Sequence, residues 1–228
     1  MTETAGTPLR DSPGFRAGAS IGVAVGLYGI SFGALATTAG LSPLQAMALS
    51  LLMFTGGSQF AFIGVLSGGG SPGAAVGAAS LLGIRNGVYG IQINALVQPP
   101  ARLKPLAAHV TIDESTATAL GQSSTTEQRR GFWTAGLGVF LLWNVFTAVG
   151  AFAGQALGDP KQWGLDGAAV AAFLGLLWPR LKQREPVAIA VVCAVVTAVA
   201  APWLPAGVPI LLAAVVSAGL GLWTGGDR

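Results

Sequence analysis

The sequence predicts an all-α protein, a polytopic transmembrane helical bundle of about seven spans in which broken or re-entrant helices are expected. Three observations predict it. Only 9% of the 228 residues are charged and 52% are hydrophobic; a soluble domain carries roughly 25% charged residues, so lipid must replace water over most of the surface. Apolar runs close to the length of a bilayer core recur along the chain, whose mean hydropathy is +0.65. The 34 glycines lie mostly inside those runs, where small residues let helix backbones approach each other in lipid.

The same numbers exclude other classes. Net charge is +3 and the basic residues sit mainly between apolar runs, which makes them topology signals rather than a nucleic-acid footprint. The single cysteine, Cys193, rules out an intramolecular disulfide or a cysteine-based metal site. His109, the single histidine, cannot build a histidine-rich centre. No metal and no cofactor are expected. Residues 1–14 read as a polar tail, and Glu3 and Asp11 within it argue against a cleavable signal peptide. Residues 15–228 read as one integral membrane domain.

The first predicted span runs from about Phe15 to Ala39. Gly18, Gly22 and Gly26 fall four residues apart, and Gly29 and Gly33 repeat the spacing, giving a smooth stripe expected to be a helix-packing seam. The second span, about Pro43 to Leu66, opens with Ser42 as N-cap, proline at N1 and Gln45 to complete a capping box. After a glycine-rich turn, Ser71 and Pro72 start a third, which Pro99 and Pro100 end. The polar stretch from Ala101 to Gly131 contains a segment, Leu106–Leu120, that either crosses or lies partly embedded. Further spans are expected over about Phe132–Leu157, a short Leu165–Trp178, Pro186–Ala201 and Val208–Trp223. Most tryptophans fall at these span ends, as interfacial residues do; Trp143 is the exception, in mid-span beside Asn144. The positive-inside rule leaves the N-terminal side open, but places the Arg180–Arg184 loop and the C-terminus in the cytoplasm.

Polar groups within a span are the informative ones, because burying them without partners is costly. Gly56, Gly57, Ser58 and Gln59 stand near the middle of the second span. Two adjacent glycines weaken a helix there, and an opened helix frees backbone groups for a solute near the midplane; the plain alternative is a tight helix crossing. Arg85, Asn86 and Tyr89 stand inside the third span. Counting 1.5 Å per residue from the helix ends puts Gln59 and Arg85 within about 6 Å in depth. Arg85 either grips a substrate carboxylate through its planar guanidinium or sits in a fixed internal ion pair with Asp113 or Glu114. Those two acids are in turn either cavity residues that couple or pair, or a solvated loop pair. Asn144 reads as an interhelical hydrogen bond, Asp166 as a helix cap and His109 as a loop residue. No catalytic set, phosphate loop or dinucleotide fingerprint is present, so no enzyme is expected.

These segments carry a resemblance. Gly29-Ile-Ser-Phe-Gly33, Gly40-Leu-Ser-Pro-Leu-Gln45 and Phe54-Thr-Gly-Gly-Ser-Gln59 resemble the opening of the AzlC family, the large subunits of two-component branched-chain amino acid exporters (the LIV-E family). Ile84-Arg-Asn-Gly-Val-Tyr-Gly90, Thr111-Ile-Asp-Glu-Ser115 and Gly164-Leu-Asp166 resemble later family motifs in the correct order. The resemblance implies proton-coupled export of branched-chain amino acids, in some members methionine, across the cytoplasmic membrane. It implies a small hydrophobic AzlD-type partner subunit in the same bilayer. Gly56, Gly57, Ser58, Gln59, Arg85, Asn86 and Tyr89 would then bind substrate. Asn86 stands where the family carries a histidine, so either an acid such as Asp113 or Glu114 takes over the proton or that histidine is structural. A passive facilitator and a non-transporting scaffold are the competing classes.

Overall fold

The computed structural model describes residues 8–156, 174, 177, 178, 181–205 and 207–225. The predicted fifth span with Asp166 lies mostly outside them. Among the described residues the fold is helical, with no strand. Ten α-helices have both ends among the described residues: α1 Pro13–Leu27, α2 Gly29–Thr38, α3 Pro43–Leu52, α4 Gly56–Ser67, α5 Pro72–Val97, α6 Lys104–His109, α7 Asp113–Leu120, α8 Thr125–Ala156, α9 Arg184–Ala200 and α10 Val208–Gly225. Taken together, α1 and α2 form a 26-residue apolar run, and α8 has 32 residues; both are long enough for a core of about 30 Å.

The glycine stripe is a seam, as the sequence predicts. Gly14 and Gly18 lie on Glu127–Ala135 of α8, Gly22 on Gly138, Gly26 on Leu142, Gly29 on Trp143 and Thr147, and Gly33 on Thr147 and Ala151. Residue numbers rise together on the two sides, so α1–α2 and α8 run parallel. Their starts are tied through Glu127, which accepts from the Ser12 hydroxyl, from the Gly14 N–H at 2.8 Å and from Arg130 Nη1 at 2.9 Å.

With α8 as a ruler, the second predicted span proves to be a hairpin rather than a crossing. Ser50 of α3 stands level with Thr147, and Phe54, at the turn, with Phe140. Then Gly56 meets Trp143, and Phe60 packs on Phe32 and Trp143, back towards the level where α3 came from. The chain enters, reverses at Met53–Thr55 and returns. Its start is the predicted capping box, Ser42 N–H to Gln45 Oε1 at 2.8 Å and Gln45 N–H to Ser42 Oγ at 3.2 Å.

The Leu106–Leu120 segment does the same from the other end. Helix α5 descends to Val97, whose carbonyl accepts from Arg129 Nε in the first turns of α8 at 2.8 Å. From there α6 climbs until His109 meets Phe140 and Val110 meets Gly136. Helix α7 then falls away, with Thr118 against Gly131. Ser115 holds this second turn: its hydroxyl donates to Val110 O at 2.7 Å and accepts from Ile112 N–H at 3.0 Å. So 106–120 does not cross; it is partly embedded, as a re-entrant pair. Beyond α8, α9 and α10 pack on each other, and Leu211 of α10 touches the α4–α5 pair.

Candidate functional site

The two hairpin tips meet at mid-depth. Phe54 of one lies 5.9 Å, ring to ring, from His109 of the other, and both pack on Phe140. His109 is therefore a half-buried aromatic contact at the end of α6 rather than a loop residue. Between the tips is a cavity of about 280 Å³ lined by Thr55, Gly56 and Gly57 from the α4 start and Ile112, Asp113 and Glu114 from the α7 start. Tyr28, Phe60 and Trp143 add aromatic walls. The volume lies near the lower end of the roughly 300–1,000 Å³ of small-molecule sites.

The first tip opens because its residues disfavour a helix. Thr55 is extended at φ −159°, ψ 107°, and gives α4 no side-chain cap. The first intrahelical bond of α4 is Gln59 N–H to Thr55 O at 3.0 Å, so the N–H groups of Gly56, Gly57 and Ser58 lack intrahelical acceptors, and the first two of these residues line the cavity. The carbonyl end of α3 is satisfied differently. Gln59 Nε2 donates to Met53 O at 2.9 Å, with longer contacts to Ser50 O at 3.4 Å and Leu49 O at 3.5 Å. Its Oε1 accepts from Trp143 Nε1 at 2.9 Å.

Gln59 is thus fully buried and turned into the hairpin, not into the cavity. Ser58 is also fully buried, points at the α5 backbone near Gly83 and has no hydrogen-bond partner among the described residues. Of the seven residues read as substrate-binding, Gly56 and Gly57 line the cavity.

Arg85 is in an ion pair: its Nη2 lies 2.7 Å from Asp113 Oδ2. Tyr89 donates its hydroxyl to Asp113 Oδ1 at 2.9 Å. A Cβ on Gly57 would stand 2.7 Å from Arg85 Nη2, so glycine leaves the space through which the guanidinium reaches α7. The depth match between the second and third predicted spans is real, and Gly57 rather than Gln59 makes the contact. Asn86 lies apart, lining a separate cavity of about 600 Å³ with Asn94, Lys104 and Thr111. Among the described residues Asn144 does not bond across helices; its Nδ2 donates to Phe140 O in its own helix at 2.7 Å.

The three aromatic wall residues were not picked out as site residues from the sequence. Tyr28 sits in the break between α1 and α2, flanked by Gly26 and Gly29. Phe60 follows Gln59 in the same motif. Trp143 did carry a signal, as the tryptophan out of place in mid-span.

Two re-entrant hairpins meeting around a small, partly charged cavity within a lipid-facing helical bundle define an all-α membrane protein whose helices break at mid-depth. Comparison with known proteins narrows the class. Residues 20–157 match the family described as AzlC protein, and the chain belongs to that family. It is 33% identical over 157 residues, 68% of either chain, to an uncharacterized membrane protein of Archaeoglobus fulgidus. It is 31% identical over 159 residues to the inner membrane protein YgaZ of Escherichia coli, covering 66% of this chain and 61% of that one. No solved structure matches. The matched region holds both hairpins and the whole cavity wall.

Proposed function

We propose that the protein is the large subunit of a secondary transporter that exports branched-chain amino acids, with methionine as a further solute, across the cytoplasmic membrane. The observation that carries this is the cavity between the two hairpin tips. It has the size of a small solute, aromatic walls for an apolar side chain and polar groups at its ends. Its hairpins enter from opposite ends of the bundle, so movement of either one opens the cavity to one side, the requirement of alternating access. Membership of the AzlC family, whose members are linked to branched-chain amino acid transport, supports the solute class and a multi-pass place in the inner membrane. The partner we assign is a small hydrophobic AzlD-type subunit. The drive we assign is the proton gradient, with an acid of α7 as the proton carrier because Asn86 cannot titrate.

The experiment is accumulation of radiolabelled leucine in inverted membrane vesicles containing both subunits. Accumulation that collapses with the pH gradient supports the proposal. Gradient-independent equilibration identifies a passive facilitator instead, and no movement of leucine, isoleucine, valine or methionine refutes transport of this class.

A further inference from the structure

The cavity has two unlike ends, and their chemistry specifies how a solute lies in it. At one end is the start of α4, a 12-residue helix without a side-chain cap. The Gly56, Gly57 and Ser58 N–H groups there have no intrahelical acceptor, and the helix dipole adds positive potential. At the other end is the start of α7, where Asp113 and Glu114 stand side by side. Their charges are not equivalent. Asp113 is matched by Arg85 at 2.7 Å and by the Tyr89 hydroxyl at 2.9 Å. Glu114 lines the same cavity; its carboxylate takes a hydrogen bond from its own backbone N–H and feels the Arg85 charge at longer range, and among the described residues no basic side chain closes a salt bridge on it.

Resting on the proposal that this cavity is the solute site, we propose that Glu114 binds the ammonium group of the solute while the α4 N-terminus binds its carboxylate. The site therefore selects a zwitterionic α-amino acid over a carboxylic acid or an amine of the same shape. This reverses the role that the sequence offers Arg85, whose guanidinium is already engaged by Asp113. It also explains why two adjacent carboxylates face one small cavity. The first holds α5 to α7, and the second supplies the charge that a bound ammonium neutralises. Tyr28, Phe60 and Trp143 surround the space between the poles, where an apolar side chain lies and where ring faces also favour a nearby cation.

The test uses the full chain in lipid nanodiscs and three ligands of one shape: leucine, 4-methylpentanoate (no ammonium) and 3-methylbutylamine (no carboxylate). In the unsubstituted protein, leucine should bind more tightly than either fragment. Glu114→Gln should weaken leucine and 3-methylbutylamine at least about tenfold, the scale of one charge-assisted hydrogen bond. It should leave 4-methylpentanoate within about twofold. Glu114→Asp, which keeps the charge, should recover part of the leucine affinity and shows that the position tolerates change. Unchanged leucine binding in Glu114→Gln overturns the inference while leaving the solute site standing. Equal loss of all three ligands also overturns it, because that marks a structural role. If leucine does not bind the unsubstituted chain, the site proposal itself fails.

Discussion

Replacing Gln59 with leucine removes the amide that holds the first hairpin in its bend. The expected cost follows from its contacts. Met53 O would keep one donor, the Thr55 N–H at 2.7 Å, and Leu49 O would keep the Met53 N–H at 2.9 Å. Ser50 O would lose its 3.4 Å contact, and Trp143 Nε1, bonded to Gln59 at 2.9 Å, would be left without an acceptor. An interhelical side-chain hydrogen bond in a membrane averages only about 0.6 kcal/mol. An orphaned buried donor costs about 1–3 kcal/mol, so the orphaned indole dominates and the variant should lose about 2–4 kcal/mol. Unfolding of the purified protein from mixed micelles measures this. Trp143→Phe removes the orphan, so adding it to Gln59→Leu should cost less than Trp143→Phe does alone, with a coupling of about 1–2 kcal/mol. The reasoning is refuted if Gln59→Leu is as stable as the parent yet loses leucine binding, because Gln59 would then be a solute ligand.

Four further outcomes follow from the geometry. A Cβ on Gly33 would fall well inside contact distance of Thr147 O and 2.6 Å from Ala151 N, whereas one on Gly22 would meet nothing nearer than 3.4 Å. Gly33→Ala should therefore destabilise by about 1–3 kcal/mol, and Gly22→Ala should be neutral or stabilising by up to about 1 kcal/mol; micelle unfolding separates the two. Arg85→Ala strands the Asp113 carboxylate and should destabilise more than the Arg85→Ala/Asp113→Asn pair, which removes both charges. With Cys193 replaced by alanine, single cysteines at Leu44 and Gly68, at the two ends of the first hairpin, should react with an impermeant maleimide from the same side of the membrane. Labelling from opposite sides would mean that residues 43–67 cross it. Acidification protonates Glu114 and so removes the ammonium site. Leucine affinity should fall as pH falls, and the fall should be absent in Glu114→Gln. The nearby charged and titratable groups are Asp113, Arg85, Tyr28 and Tyr89, with His109 at the tip of the second hairpin and Glu127, Arg129 and Arg130 at the foot of α8. Repeating the titration in Asp113→Asn tests the α7 neighbour.

The lipid-facing helical class was legible because composition alone decides it, and the glycine stripe because its spacing matches the period of a helix face. Helix starts at Ser42 and Ser71 were legible because caps are local chemistry. The direction of each apolar run was not. A run from Pro43 to Leu66 has the length and hydropathy of a span, and neither property records whether the chain goes through or turns back. Two adjacent glycines did flag the opening. The reversal itself depends on Thr55 adopting an extended conformation and on Gln59 reaching back to the α3 carbonyls, a set of contacts between residues six to ten apart. Trp143, 84 residues from Gln59, supplies the last partner of that amide. Periodicity along one segment cannot reveal a partner so far away.

The two hairpins also explain why the polar groups of this membrane protein are arranged as they are. A continuous helix satisfies its own backbone and offers a solute nothing. A hairpin ending at mid-depth exposes a carbonyl end and an N–H end there, and each must be bonded, capped or used. In the first hairpin Gln59 consumes the carbonyl end and leaves the N–H end of α4 open to the cavity. In the second, Ser115 closes the turn, and Asp113 and Glu114 place negative charge at the α7 start. Both tips are helix starts, but the first presents bare backbone donors while the second adds two carboxylates, one of them already matched by Arg85. On the proposal made above, a neutral zwitterion in this cavity would leave neither tip unsatisfied. Once the solute leaves, both ends need other partners: water at the α4 N–H groups, and a proton or cation at Glu114. Exchange of solute ammonium for a proton at that one carboxylate would couple export to the gradient, without a histidine at the position of Asn86.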